Sequence, residues 1–129
     1  MSNIRDKSDE NIEAAQLLIN NGKYTSSVHC SYYGCFQMMK HVLATKCNVE
    51  YDVQNSTNGQ DSHLFIRDKI LNEINDHTSK RNIRSYFDNI KADRRRADYL
   101  QDKISDMESL ETLDQSKKLI RLLKQQFVI

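Results

Sequence analysis

Seven cations, Lys80, Arg81, Arg84, Lys91, Arg94, Arg95 and Arg96, share one short segment with only Asp88 and Asp93, a net of +5. Guanidinium groups crowded in this way can hold phosphate, because arginine presents a planar fork of donors that matches an oxyanion. From Asp98 to Asp114 the sign reverses: Asp98, Asp102, Asp106, Glu108, Glu111 and Asp114 meet only Lys103, a net of −5. The blocks cancel, so 19 Lys+Arg against 18 Asp+Glu leave +1 overall. Attraction to nucleic acid or to a membrane surface must therefore be local. The same pattern also reads as a solvated helix surface, since Arg94 and Asp98 stand at i, i+4, the spacing of an ion pair worth about 0.3–0.5 kcal/mol.

Other chemistries find less support. His29, His41, His63 and His77 include no pair at i, i+4 with one another or with a cysteine, the spacing a helical zinc pair needs. No metal site and no cofactor is expected. Cys30, Cys35 and Cys47 are odd in number and lack a C-x-x-C spacing. Reduced thiols are expected, with those of the second helix acting as small hydrophobes. There is no G-x-S-x-G elbow and no glycine-rich phosphate loop. The N-terminus, MSNIRDKSDENIEAA, lacks a signal-peptide core, and no run is long and apolar enough to span a bilayer; the expectation is a cytoplasmic protein that does not enter the membrane.

The elements that must carry these residues are helices. The chain has 129 residues, no proline, three glycines and 29% charged residues, which suits one domain of long helices. Ile12, Ala15, Leu18 and Ile19 form one helical face, ended at Gly22, where glycine adopts a left-handed cap without penalty. The strongest pattern runs from Tyr24 to about Lys46 through Val28, Tyr32, Cys35, Phe36, Met39, Val42 and Leu43, with Gly34 expected to allow close helix packing. Residues 47–61, CNVEYDVQNSTNGQD, read as a mobile loop. Ser62 is read as the cap of a third helix that carries Leu64, Phe65, Ile70, Leu71 and Ile74 as its apolar face and ends near His77. A fourth begins near Thr78 or Ser79 and carries Ile83, Tyr86, Phe87, Ile90, Ala97 and Leu100 to about Ile104, with a kink near Asp93. Ser105 and Glu108 form a capping box for a fifth helix bearing Leu110, Leu113, Ile120, Leu123 and Phe127. The predicted fold is all-α, an antiparallel up-and-down bundle of about five helices in one domain, 1–129.

Two stretches carry a family resemblance. Ala14 to Lys46, AAQLLINNGKYTSSVHCSYYGCFQMMKHVLATK, resembles the opening helical pair of HEPN (higher eukaryotes and prokaryotes nucleotide-binding) domains: an A-x-x-L-L helix, a glycine turn, and a helix with S-x-x-x-S-Y-Y-x-x-F. Downstream, RRRADY at Arg94 to Tyr99 resembles the R-x-x-A-D-Y signature of a prokaryotic HEPN subfamily, and His63 resembles that subfamily's lone histidine after the long loop. The resemblance implies a HEPN-like bundle, frequent homodimers, and a role in bacterial defence or toxin–antitoxin systems beside a partner such as a nucleotidyltransferase.

Several HEPN members are metal-independent RNases with an R-x(4–6)-H motif. Here Arg94 is followed five residues on by Tyr99, and tyrosine, with a pKa near 10, is a poor general base at neutral pH. Nucleotide or RNA binding is therefore expected ahead of cleavage, through Lys91, Arg94, Arg95 and Arg96, with Asp98 orienting Arg94 and Tyr99 stacking on or hydrogen-bonding a nucleotide. A divergent metal-independent endoribonuclease would use Arg94, Tyr99 and His63, the histidine reaching across a dimer. A third reading is a purely structural interaction module whose basic helix docks an acidic partner. For Tyr99 and Asp98 the plain alternatives are an edge-of-core ring and a surface acid.

Overall fold

The computed structural model describes residues 3–55, 61–100 and 103–129. Among them are six helices and no strand: α1 (Asn3–Asn20), α2 (Tyr24–Lys46), α3 (Tyr51–Asn55), α4 (Ser62–Asn72), α5 (His77–Tyr99) and α6 (Asp106–Phe127). The fold is an all-helical bundle. It departs from the five expected helices through α3, which lies inside the segment expected to be a mobile loop. Gln54 of α3 is fully buried, and its amide donates to the carbonyls of Lys40 and Val49 at 3.1 and 2.8 Å. These bonds fasten the first half of the connection to α2; residues 56–60 lie outside the described part.

Helix α2 packs against each of the other five helices. Its stripe of Tyr32, Cys35, Met38, Met39, Val42 and Leu43 is completely buried and forms one cluster with Ile66 and Ile70 of α4, Ile83, Phe87 and Ile90 of α5, and Leu119 and Leu123 of α6. Burying these side chains provides the main driving force for the fold, at about 1.5–3 kcal/mol each. Three neighbouring pairs, α1 with α2, α5 with α6 and α4 with α5, run antiparallel, as two polar bonds in each pair show. Ser8 and Ser27 bond Gly34 O and Ala15 O between α1 and α2. Glu108 with Arg96 and Gln126 with Ser79 link α6 to α5. Arg67 with Asp88 and Asp61 with Lys91 link α4 to α5.

Local chemistry sets the helix ends. Gly22 has φ +73°, and Gly22 N–H and Lys23 N–H donate to Ile19 O and Leu18 O, closing α1 in a Schellman cap. At Gly34 a Cβ would stand 2.5 Å from Ile12 Cδ1, so glycine there does permit the close approach of α1. Ser105 and Glu108 form the expected capping box. Three expected boundaries are corrected. Asp61, not Ser62, caps α4, accepting from the N–H groups of His63 and Leu64; both residue types can cap, and Asp61 has the extended backbone that the position requires. Helix α4 stops at Asn72, because Asp76 caps the next helix through Ser79 N–H and His77 already belongs to α5. Helix α5 runs unbroken through Asp93 but ends at Tyr99, leaving Leu100 56% exposed and off the apolar face.

Candidate functional site

Arg94 sits near the C-terminus of α5, where the helix passes the aromatic middle of α2. Tyr32 and Tyr33 come from α2 and Tyr99 from the last turn of α5. The guanidinium carbon lies 5.5, 5.6 and 5.3 Å from the centres of these three rings, within cation–π range of each. Nη2 donates to the Tyr33 and Tyr99 hydroxyls at 3.2 and 3.5 Å. Nε lies 2.8 Å from Asp98 Oδ2 without the alignment of a hydrogen bond, so this contact is an ion pair of opposed charges. Burial works against the charge, but Tyr33, Tyr99, Asp98 and Tyr32 outweigh it and hold the Arg94 pKa above the ordinary guanidinium value. Asp98 also receives His29, whose Nδ1 stands 3.1 Å from Oδ2.

His63 enters from the first turn of α4. Its ring stacks on Phe36 at 4.3 Å between centres, and Nδ1 is hydrogen-bonded to the hydroxyl of the fully buried Tyr32. Partial burial lowers its pKa below the usual histidine value; nearby Asp61 opposes that shift, and Lys91, Arg94 and Lys40 reinforce it. His63 is thus biased toward the neutral form, which a proton acceptor requires. Asp61 Oδ2 accepts from Lys91 Nζ at 2.8 Å, and that bond with Lys91 is the main reason its carboxyl titrates below the usual value.

These groups surround two adjoining clefts. The smaller, about 260 Å3, is lined by Asp61, His63, Lys91, Arg94, Arg95 and Tyr99. The larger, about 470 Å3, shares Lys91, Arg95 and Tyr99 with it and adds Leu64, Arg67, Asp88, Ala92, Arg96 and Leu100. Lys91 and Arg95, at i, i+4, therefore form the ridge between a polar lobe and one with apolar side chains on its walls. Most cations of the basic segment are already engaged: Arg84 by Asp88, Lys91 by Asp61, Arg94 by Asp98 and Arg96 by Glu108. Among the described residues Lys80, Arg81 and Arg95 have no ion pair, and of these three only Arg95 lines either cleft.

Lys91, Arg94, Arg95, Tyr99 and His63 thus gather around the smaller cleft, and Arg96 reaches only the larger one. Asp98 stands behind Arg94 and orients it. Tyr99 is 69% exposed, so it is an open surface ring and not an edge of the core. His63 shares the smaller cleft with Arg94 within one chain, with no need of a second subunit. The residues that sequence reasoning missed are Tyr33, which bonds Arg94 across 61 positions, and His29, which reaches Asp98 across 69. Only the adjacency of Ser31, Tyr32 and Tyr33 in the S-Y-Y motif hinted at the first. Among the described residues, no group of three or more His, Cys, Asp or Glu side chains converges as a metal site would, and no helix is long and apolar enough to cross a membrane. No protein-family model matches the chain, and no curated protein is significantly similar to it.

Proposed function

We propose that the paired clefts on α5 bind the phosphate of a nucleotide or of RNA, and that the chain is a HEPN-like module of a bacterial defence or toxin–antitoxin system that works beside a partner such as a nucleotidyltransferase. One observation carries the binding reading: Lys91, Arg94 and Arg95 line a cleft that also presents the exposed ring of Tyr99. Cations supply attraction to phosphate, and an open aromatic face accepts a base by stacking, worth about 1–3 kcal/mol per base. Resemblance of RRRADY and of the S-Y-Y helix to HEPN domains supports the family assignment. The test is binding of labelled single-stranded RNA and of a mononucleotide to the wild type, Arg95→Ala and Tyr99→Ala. Weakened binding in both variants is expected, with thermal unfolding unchanged for Arg95→Ala and lowered by only about 2 °C for Tyr99→Ala; equal affinity in all three overturns the reading.

A second reading, metal-independent RNA cleavage, gains support from His63. The histidine missing from the R-x(4–6)-H spacing is supplied from α4, lowered in pKa and lining the same cleft as Arg94. In this reading His63 takes the proton of the attacking 2′-hydroxyl, and Arg94 steadies the charge that develops on the phosphate. The bond from phosphorus to the 5′-oxygen breaks, leaving a 2′,3′-cyclic phosphate and a 5′-hydroxyl that takes its proton from water. RNA cleaved in excess chelator by the wild type but not by His63→Ala selects it.

A further inference from the structure

We propose that the groove between α1 and α6 is a docking site for an acidic amphipathic helix of a partner protein. This rests on the groove alone, on a different face of the bundle from the α5 clefts, and not on the nucleotide reading. The groove encloses about 320 Å3 between Asp9 and Ile12 of α1 and Lys117, Ile120, Arg121 and Lys124 of α6. Its floor is Ile12 and the nearly buried Ile120; its wall is a row of three cations at i, i+4 and i+7. Among the described residues none of the three is paired with a carboxylate, whereas the adjacent Lys118 is bonded to Asp114 at 2.9 Å. Most of the cleft-lining cations on α5 have internal partners, so this row is the larger block of unspent positive charge beside an apolar floor.

The geometry selects the class of partner. Leu110 lies on the same flank of α6, fourteen residues before Lys124, and is a large apolar side chain left 44% exposed. From Leu110 to Lys124 the flank is about 21 Å long, four helical turns. A partner helix running antiparallel to α6 meets Lys124, Arg121 and Lys117 with carboxylates at its positions i, i+3 and i+7, and Leu110 with an apolar residue at i+14. A nucleic-acid strand is the poorer occupant. The groove is lined by no aromatic ring on which a base could stack and by a single arginine, whereas the α5 clefts have Tyr99.

The test uses a synthetic helical peptide of roughly 18 residues with Glu at i, i+3 and i+7 and Leu at i+14, a scrambled peptide of identical composition, and a single-stranded RNA of equal charge. Anisotropy is read against the wild type, Lys117→Gln/Arg121→Gln/Lys124→Gln and Leu110→Asp. All four positions are exposed, so the variants keep the fold, which thermal unfolding verifies. The expected result is that the patterned peptide binds the wild type, and binds about tenfold more weakly to each variant. The scrambled peptide binds the wild type about tenfold more weakly than the patterned one, and the triple variant leaves RNA affinity unchanged. Equal binding of the two peptides, no binding of the patterned peptide, or loss of RNA affinity in the triple variant each overturns the proposal.

Discussion

Replacing Arg94 by alanine should cost stability, whereas the same change at the adjacent Arg95 should not. The side chain of Arg94 is 15% exposed and that of Asp98 20%, so their ion pair is better shielded than a surface pair and counts at the upper end of that range, about 1 kcal/mol. Three ring contacts at 5.3–5.6 Å contribute roughly 0.5 kcal/mol each at partly exposed sites. Relief of the arginine's own desolvation offsets some of this, and the net loss is about 2 kcal/mol. In a chain of 129 residues that lowers Tm by about 8 °C. Arg95 is exposed and has no ion pair, so Arg95→Ala should stay within about 0.5 kcal/mol of the wild type. Arg94→Lys, which keeps the charge and loses the planar fork, should fall between the two. Urea unfolding followed by circular dichroism measures all three. Equal, small shifts for Arg94→Ala and Arg95→Ala would show that the tyrosine cage does not hold Arg94 and would refute the reasoning.

Three further outcomes follow from other parts of the fold. Gly34→Ala should destabilise by about 1–2 kcal/mol despite the better helix propensity of alanine, because its Cβ would meet Ile12 Cδ1 at 2.5 Å and Cγ1 at 2.9 Å; Ile12→Ala, which removes both atoms, should give a double variant less destabilised in urea unfolding than the sum of the two single changes. Asp61→Ala removes the cap of α4 and should cost about 1 kcal/mol, and by releasing Lys91 it should strengthen, not weaken, RNA binding measured by anisotropy. Stability should decline as pH falls below 6.5. Burial lowers the pKa of His41 and of His63 from 6.5, so the unfolded chain takes up those protons first. The loss deepens through the acid range as Asp61 and Glu108 protonate, since bonds from Lys91 and Arg96 hold their pKa values below 3.8 and 4.5. A flat unfolding free energy between pH 7 and pH 5.5 would contradict the assignment of the two histidines.

How much was legible in the sequence depended on whether the deciding contact was local. Helix α2, the Gly22 cap and the Ser105–Glu108 box are written in residues a few positions apart, and each stands where its pattern put it. Gly34 was legible too, as a lone glycine in a strong apolar stripe. At Asp61 and Ser62 two competent caps were adjacent, and only backbone geometry chose between them. Helix α3 escaped notice because five residues carry no periodicity; Gln54 is buried for its amide bonds to Lys40 and Val49, which no hydropathy pattern encodes. Leu100 and Leu110 continue apolar faces in the sequence but project beyond the core, since α5 ends at Tyr99 and the flank of α6 is uncovered at Leu110.

The site was legible as a list of residues and not as an arrangement. RRRADY marked Arg94, Asp98 and Tyr99 as a local unit, and the i, i+4 pair of Arg94 with Asp98 followed from helix geometry. Which arginine has an ion pair and which is free depended on helix phase: the α4–α5 and α5–α6 contacts take Lys91 and Arg96 and leave Arg95 open. The stack of His63 on Phe36 and its bond to Tyr32 depend on how α4 lies across α2, a relation set by packing across about thirty residues of chain.

The salt dependence of RNA binding tests phosphate recognition by the α5 clefts most directly. For single strands the slope of log K against log salt is about −0.7 per phosphate contact. If Lys91, Arg94 and Arg95 each meet a phosphate, the wild type should show a slope of about −2, and Lys91→Ala/Arg95→Ala about −0.7. A slope that is the same in both proteins, or no measurable binding at low salt by the wild type, would contradict the claim that the clefts of α5 hold a phosphate ligand.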